Sequence, residues 1–440
     1  MAKCGMGLID MENKKLGFRA KSALYLYRCM HVIATTCALG TIPFLIANFK
    51  RVREGFDDYL GNVQIPEKNG KPVLWIHGVS MGESMVAIGF AKELKKLYPE
   101  SIILFTTTHP DVIADVEKRK IADAVAYFPL DNYRSMERIF RRWKPDAVFV
   151  AETDFWPEFS YHCSQENIPL MLINGRISSK IASFYKRAKG IAEIVFGSFS
   201  SFAVQSQVDA DRLMDIGVKP EKIHVLGNMK ADFTHTSQVN LDSVSEWRRG
   251  RKTVVFGSLH PEELEILKPL FADLAKENIA TIIAPRNIAL AESWSKEVAE
   301  SGITVAKKSE IKDSQVLILD TIGELASVYR LSDVSFVGGS LDRDKTGGHN
   351  PLEVLQQSVP LLMGPYYRNF TDIVEQLKAK GGISIVKDAD QSFAEIKRIL
   401  ADVEAKNNMV IAGNSVLESN KGVLANTIEL VKSLPFNGKS

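Results

Sequence analysis

From residue 73 onward, short wholly apolar runs alternate with longer stretches whose apolar positions recur every three or four residues. The runs 73–77, 102–106, 147–151, 170–173 and 201–204 read as strands, and the pattern restarts with 253–257, 281–284, 316–319, 334–337 and 360–363. Helical periodicity over 83–97 and 262–276 fills two of the gaps. Strands apolar on both faces and separated by helices point to parallel sheets covered on both sides. The expectation is an α/β chain of two doubly wound, Rossmann-like domains, 54–235 and 236–440, facing a cleft and joined through the polar stretch 232–251. Ligands then belong at the carboxyl ends of the strands.

Residues 1–53 break this pattern. They hold nine Lys/Arg against Asp10 and Glu12, a segment of net +7 in a chain of net +2. Within it, 29–49 carries no Asp, Glu, Lys or Arg but is interrupted by His31, Thr35, Thr36, Thr41, Pro43 and Asn48. About 20 apolar residues cross a bilayer core as a helix, so the length suffices. Lys50, Arg51 and Arg53 follow directly, which argues against a cleaved signal peptide. The expectation is an uncleaved N-terminal anchor over 1–53, spanning the membrane or lying on its anionic surface, with the catalytic body on the cytoplasmic side. Because the excess charge is confined to this segment, a nucleic acid polymer is not an expected partner. A hydrophobic content of 45% and a charged content of 25% exclude a mainly disordered chain. Cys4, Cys29, Cys37 and Cys163 show no pairing logic, as in a reducing compartment.

Several loops after strands carry chemistry. The run 334–337 ends in Gly338-Gly339-Ser340 and then Gly347-Gly348-His349-Asn350-Pro351-Leu352-Glu353, a glycine turn leading into a helix start with Asn350 as its cap. Its N–H groups and helix dipole suit an anion such as a nucleotide phosphate, although any α/β protein has well-capped helices. Gly78-x-Ser80-x-Gly82 has the form of a hydrolase nucleophile elbow. Glu83 in the same loop suits a general base, or else a first-turn acid facing the helix dipole. Glu152 and Asp154, beside Phe155 and Trp156, suit a hydroxyl-rich ligand or a cap for the helix that Pro157 opens. Arg176 suits a carboxylate or phosphate, or a surface ion pair. Lys230, Pro285-Arg286 and Ile322-Gly323-Glu324 also follow apolar runs. Three D-x-D triplets, at 209–211, 342–344 and 388–390, are too unspecific to indicate a metal, and no H-E-x-x-H motif is present.

Taken in order, the basic N-terminus, His77 to Glu83, Glu152 to Pro157, Asn174 to Ser178, Gly227 to Lys230, Pro285-Arg286, Asp320 to Leu325 and Gly338 to Glu353 resemble the 3-deoxy-D-manno-octulosonic acid (Kdo) transferases of lipopolysaccharide synthesis. The resemblance covers most of the chain. It implies a GT-B fold, CMP-Kdo as donor, a tetraacylated lipid A precursor (lipid IVA) as acceptor, inverting transfer, and a place on the cytoplasmic face of the inner membrane. It implies Glu83 as the proton acceptor, with Glu152 and Lys230 as transition-state stabilisers. Pro285, Arg286, Ile322, Gly323, Glu324, Asn350, Pro351, Leu352 and Glu353 are implied as the CMP site, with no cofactor and no metal requirement. The chain departs from the family pattern at Gly78, where Ala is usual, at Asp154-Phe155, in place of Glu-Leu, and in a longer loop at 342–346. The rivals are another nucleotide-sugar transferase of the same fold and a membrane-associated serine hydrolase using Ser80.

Overall fold

The computed structural model describes residues 16–38, 40, 41, 44, 47–79, 81–233, 239–342 and 347–436. The chain divides into two compact units, Met1–Phe233 with Gly422–Ser440, and Thr234–Lys421.

The first unit is built on seven parallel strands: β1 (Val73–His77), β2 (Ile102–Thr107), β3 (Ala124–Tyr127), β4 (Ala147–Ala151), β5 (Leu170–Gly175), β6 (Ser201–Val204) and β7 (Ile223–Val225). Their order is β3-β2-β1-β4-β5-β6-β7. The central strands are buried along their whole length, which is why they read as continuous apolar runs. One face packs on Trp143, Phe159 and Phe196, the other on Phe90 and Leu94 of the helix Met81–Leu97. Trp75 anchors the first face, fully buried, with its indole N–H on Thr106 Oγ1 at 2.8 Å.

The second unit repeats the design with β8 (Thr253–Leu259), β9 (Ala280–Pro285), β10 (Val305–Lys307), β11 (Val316–Ile318), β12 (Val334–Val337), β13 (Leu361–Met363) and β14 (Ser384–Ile385). The order is β10-β11-β9-β8-β12-β13-β14, again all parallel. The helix Pro261–Lys276 covers one face through Leu264, Leu267 and Phe271.

Two expectations need adjustment. The stretch 232–251 is not wholly a linker, since Asp242–Arg248 is a helix whose Val244 and Trp247 are buried, with Trp247 Nε1 on Ser314 Oγ at 2.9 Å. The end of the chain, expected with the second domain, packs on the first unit. Asp232 accepts from Gly422 N and Leu424 N, both at 2.6 Å, and so holds the start of the helix Val423–Lys432, whose Val423 and Val431 join the Met81–Leu97 face.

The N-terminal segment also differs from a spanning anchor. Its helix runs Phe18–Ala38, so it takes in Arg19, Lys21 and Arg28. Among the described residues no helix is long and apolar enough to cross a membrane. One side of this helix docks on the first unit. Leu16, Ala20 and Leu24 pack with Ile194, and Arg28 makes two bonds to the buried Glu158, at 2.5 and 2.9 Å. Tyr27 donates to Asp131 at 2.8 Å. Burial pushes the Asp131 carboxyl up to about 7, against the lowering effect of Tyr27 and the Phe159 and Glu158 N–H groups. The other side leaves Tyr25, Leu26, Val32 and Ile33 exposed.

Candidate active site

The order of the first sheet reverses between β1 and β4, which lie side by side with His77 opposite Val150. The loops after these two strands therefore meet at the topological switch point, where open α/β sheets bind ligands. The loop after β1 leads to Glu83 in the first turn of the helix Met81–Leu97. Ser80 and the side chains of residues 81–84 lie outside the described ones.

The loop after β4 begins at Glu152, whose backbone takes φ +60°. A left-handed conformation is costly for a residue with a Cβ and clusters at functional sites. It is held by backbone bonds on both sides, from Glu152 N to Ile173 O (3.0 Å) and from Arg176 N to Glu152 O (3.1 Å). The buried carboxylate meets Lys230 Nζ at 2.7 Å and accepts from Asn174 Nδ2 at 3.2 Å. Asn174, itself at φ +51°, accepts through Oδ1 from Met229 N at 2.8 Å, while Asn228 Oδ1 receives Lys230 N at 3.0 Å. Residues from the loops after β4 and β7 and from the end of β5 thus lock one carboxylate and one cation together. Arg176 enters this network through its backbone.

Two strand ends are also cross-tied. His77 is fully buried, with Nδ1 3.0 Å from both Thr106 O and Thr106 Oγ1, and Nε2 3.1 Å from Asp154 Oδ2. Phe128 lies across the imidazole at 4.1 Å. Neither His77 Nε2 nor Asp154 Oδ2 meets hydrogen-bond geometry, so theirs is a close approach, not a bond, between the end of β1 and the loop that carries Glu152. Nothing in the local pattern around His77 announces it, because it depends on β1 and β4 being neighbours.

In the second unit the reversal falls between β9-β8 and β12. Pro285-Arg286 follows β9, His260 follows β8 and the glycine run follows β12, so these loops share one sheet edge. Arg286 is exposed, with its backbone N on Leu259 O at 2.9 Å. Ile322 is exposed, Gly323 turns the chain at φ +82°, and Glu324 holds Lys308 at 3.0 Å and the Thr321 hydroxyl.

The N–H groups of Gly339, Ser340 and Leu341, just after β12, are already taken. The fully buried Glu263 accepts from Gly339 N (2.7 Å) and His260 N (3.0 Å) on Oε2, and from Ser340 N (2.8 Å) and Leu341 N (3.0 Å) on Oε1. An internal carboxylate thus fills the anion nest expected for phosphate. The helix behind Asn350 is also shorter than expected, a single turn Leu352–Leu355 with Pro351 at the cap position. Asn350 still caps it, taking Leu352 N at 3.1 Å and giving its amide to Glu353 at 3.3 Å. One turn carries little macrodipole. Glu263→Gln keeps one acceptor oxygen and turns an amide toward two N–H groups, so a loss of about 2 kcal/mol is expected in urea unfolding of the second unit. An unchanged midpoint would contradict this bonding.

Among the described residues no group of His, Cys, Asp and Glu side chains is arranged to hold a metal.

Two doubly wound α/β units with polar loops at both switch points define a GT-B-like fold. The fold is shared with Anabaena HepE, solved in complex with UDP, at a TM-score of 0.59 and 12% identity over 82% of this chain and 100% of that one. Residues 51–233 match the family described as 3-deoxy-D-manno-octulosonic-acid transferase (kdotransferase). The Kdo transferase of Haemophilus influenzae is 30% identical over 90% of this chain and 94% of its own. That of Chlamydia trachomatis serovar D is 27% identical over 84% and 88%. The chain belongs to the Kdo transferase family and is a Kdo glycosyltransferase.

Proposed function

We propose that the enzyme transfers Kdo from CMP-Kdo to a tetraacylated lipid A precursor, with inversion at the anomeric carbon. Glu83 accepts the proton of the acceptor hydroxyl as its oxygen attacks that carbon. The bond from the anomeric carbon to the phosphate oxygen breaks, and CMP leaves with the bonding pair. Positive charge grows on the sugar and negative charge on the phosphate. The Glu152 carboxylate suits the first, and Lys230 suits the donor's negative groups. Pro285-Arg286, Ile322-Gly323-Glu324 and Asn350-Pro351-Leu352-Glu353 hold the CMP part.

The observation that carries this reading is the Glu152–Lys230 contact at the switch point, on the strand next to the one that leads to Glu83. A lipid acceptor also accounts for the Phe18–Ala38 helix. Its exposed Tyr25, Leu26, Val32 and Ile33, beside Arg19 and Lys21, suit a helix lying in the interface of an anionic membrane rather than crossing it. A place on the cytoplasmic face of the inner membrane fits this reading, because a substrate that stays in the bilayer is then within reach. The reaction as written needs no metal.

NMR of the product tests the mechanism. The transferred sugar is expected to carry the opposite anomeric configuration to the donor, and the same configuration would overturn single displacement.

A further inference from the structure

The loop that carries Glu152 is short, and its far end is fixed from outside. Only Thr153, Asp154, Phe155 and Trp156 separate Glu152 from Pro157, where the helix Pro157–Gln165 begins. The cap position of that helix is Trp156, whose indole is a donor only and makes no cap bond. The buried Asp131, between β3 and the helix Tyr133–Trp143, caps the helix instead. Its Oδ1 accepts from Phe159 N at 2.8 Å and its Oδ2 from Glu158 N at 3.0 Å. Between the two ends of the loop, Phe155 packs on Phe196 at 4.9 Å and its carbonyl accepts from the Tyr185 hydroxyl at 3.3 Å, which leaves little slack.

Both carboxylates at this helix start are held by the N-terminal helix Phe18–Ala38. The Tyr27 hydroxyl donates to Asp131 Oδ2 at 2.8 Å, the same oxygen that takes Glu158 N. The Arg28 guanidinium forks onto both oxygens of the fully buried Glu158 and lies over the rings of Tyr133, at 4.6 Å, and Tyr161, at 5.0 Å. A planar fork fixes direction as well as distance. A buried ion pair adds little net stability over an apolar joint. Leu16, Ala20, Leu24 and Ile194 already form such a joint, so what Tyr27 and Arg28 add is the position of the helix start.

We propose that Tyr27 and Arg28, acting through Asp131 and Glu158, are positioning residues for Glu152. The N-terminal helix sets the start of Pro157–Gln165 and, with it, the loop that carries the acid. A docked helix is then a condition of full turnover and not only a means of attachment to the membrane. This rests on the reading of Glu152 as a transition-state stabiliser.

Two variants of the full chain test it. Tyr27→Phe loses one hydrogen bond, and Arg28→Met combined with Glu158→Gln removes both charges and leaves no buried carboxylate unpaired. Each is assayed below its unfolding transition with saturating acceptor dispersed in detergent, so that neither folding nor membrane attachment limits the rate. The double variant is expected to lose about 10²-fold in kcat, the scale of a misplacement of about 1 Å, with KM for CMP-Kdo unchanged. Tyr27→Phe is expected to lose less. Hydrogen exchange of the double variant is expected to quicken at the Glu152, Glu158 and Phe159 amides as well as in 18–38. A wild-type kcat in the double variant, or faster exchange confined to 18–38, overturns the proposal and leaves the chemistry proposed for Glu152 standing. A wild type that transfers no Kdo overturns that chemistry, and the proposal with it.

Discussion

Glu83→Gln is expected to lower the rate of Kdo transfer by about 10³–10⁴-fold, the upper range for losing a positioned general base. The amide keeps size and hydrogen bonding but cannot take the acceptor's proton. The helix Met81–Leu97 is anchored well beyond its first turn, with Val86, Ala87 and Phe90 fully buried, so the loss belongs to chemistry and not to folding. CMP affinity is accordingly expected to stay at the wild-type value. Ser80→Ala is expected to keep transfer activity. The reverse pattern, with Ser80→Ala dead and Glu83→Gln active, would move the catalytic role from Glu83 to Ser80. Both variants are read by the same initial-rate assay.

Lys230→Met is expected to cut turnover by about 10²–10³-fold, as removal of one preorganised electrostatic group does. It should also destabilise the first unit by about 3 kcal/mol, because Glu152 is then buried with a charge and no cation. The two effects separate in the double variant. Glu152→Gln combined with Lys230→Met removes both charges and is expected to regain most of the lost stability while activity stays low. If the double variant recovers turnover as well, the pair is structural and the charges play no part in the transition state. Thermal unfolding and initial rates on the same three proteins decide between the two.

Much of the fold was legible because its central strands are buried on both faces. β1, β4, β6 and β12 stand where the apolar runs put them. β3, β10 and β14 show no such run, and β7 shows only the short apolar run that precedes Gly227. Each is an edge or near-edge strand of two to four residues, partly exposed, and Ile223-His224-Val225 or Ser384-Ile385 has no period to read. The return of Val423–Lys432 to the first unit was equally hidden, since an amphipathic pattern says that a face is buried but not on which sheet.

The site was legible in its residues and not in its contacts. Glu152 and Lys230 each followed an apolar run, yet their bond depends on the order of four strands and on left-handed backbone at Glu152 and Asn174. Glu263 was hidden inside a helical pattern as one more acid in 262–276. The available signal was its place three residues after His260 at a helix start, which marks a capping box. That acid reverses the simplest reading of the glycine run, from a phosphate cradle to an internally satisfied turn.

Kdo transfer to a lipid acceptor is read from the mass of the lipid product. Membranes containing the protein are incubated with CMP-Kdo and the tetraacylated lipid A precursor without added metal. A lipid heavier by one or more Kdo residues is expected, absent with Glu83→Gln. An unchanged lipid from a folded protein that still binds CMP would contradict it.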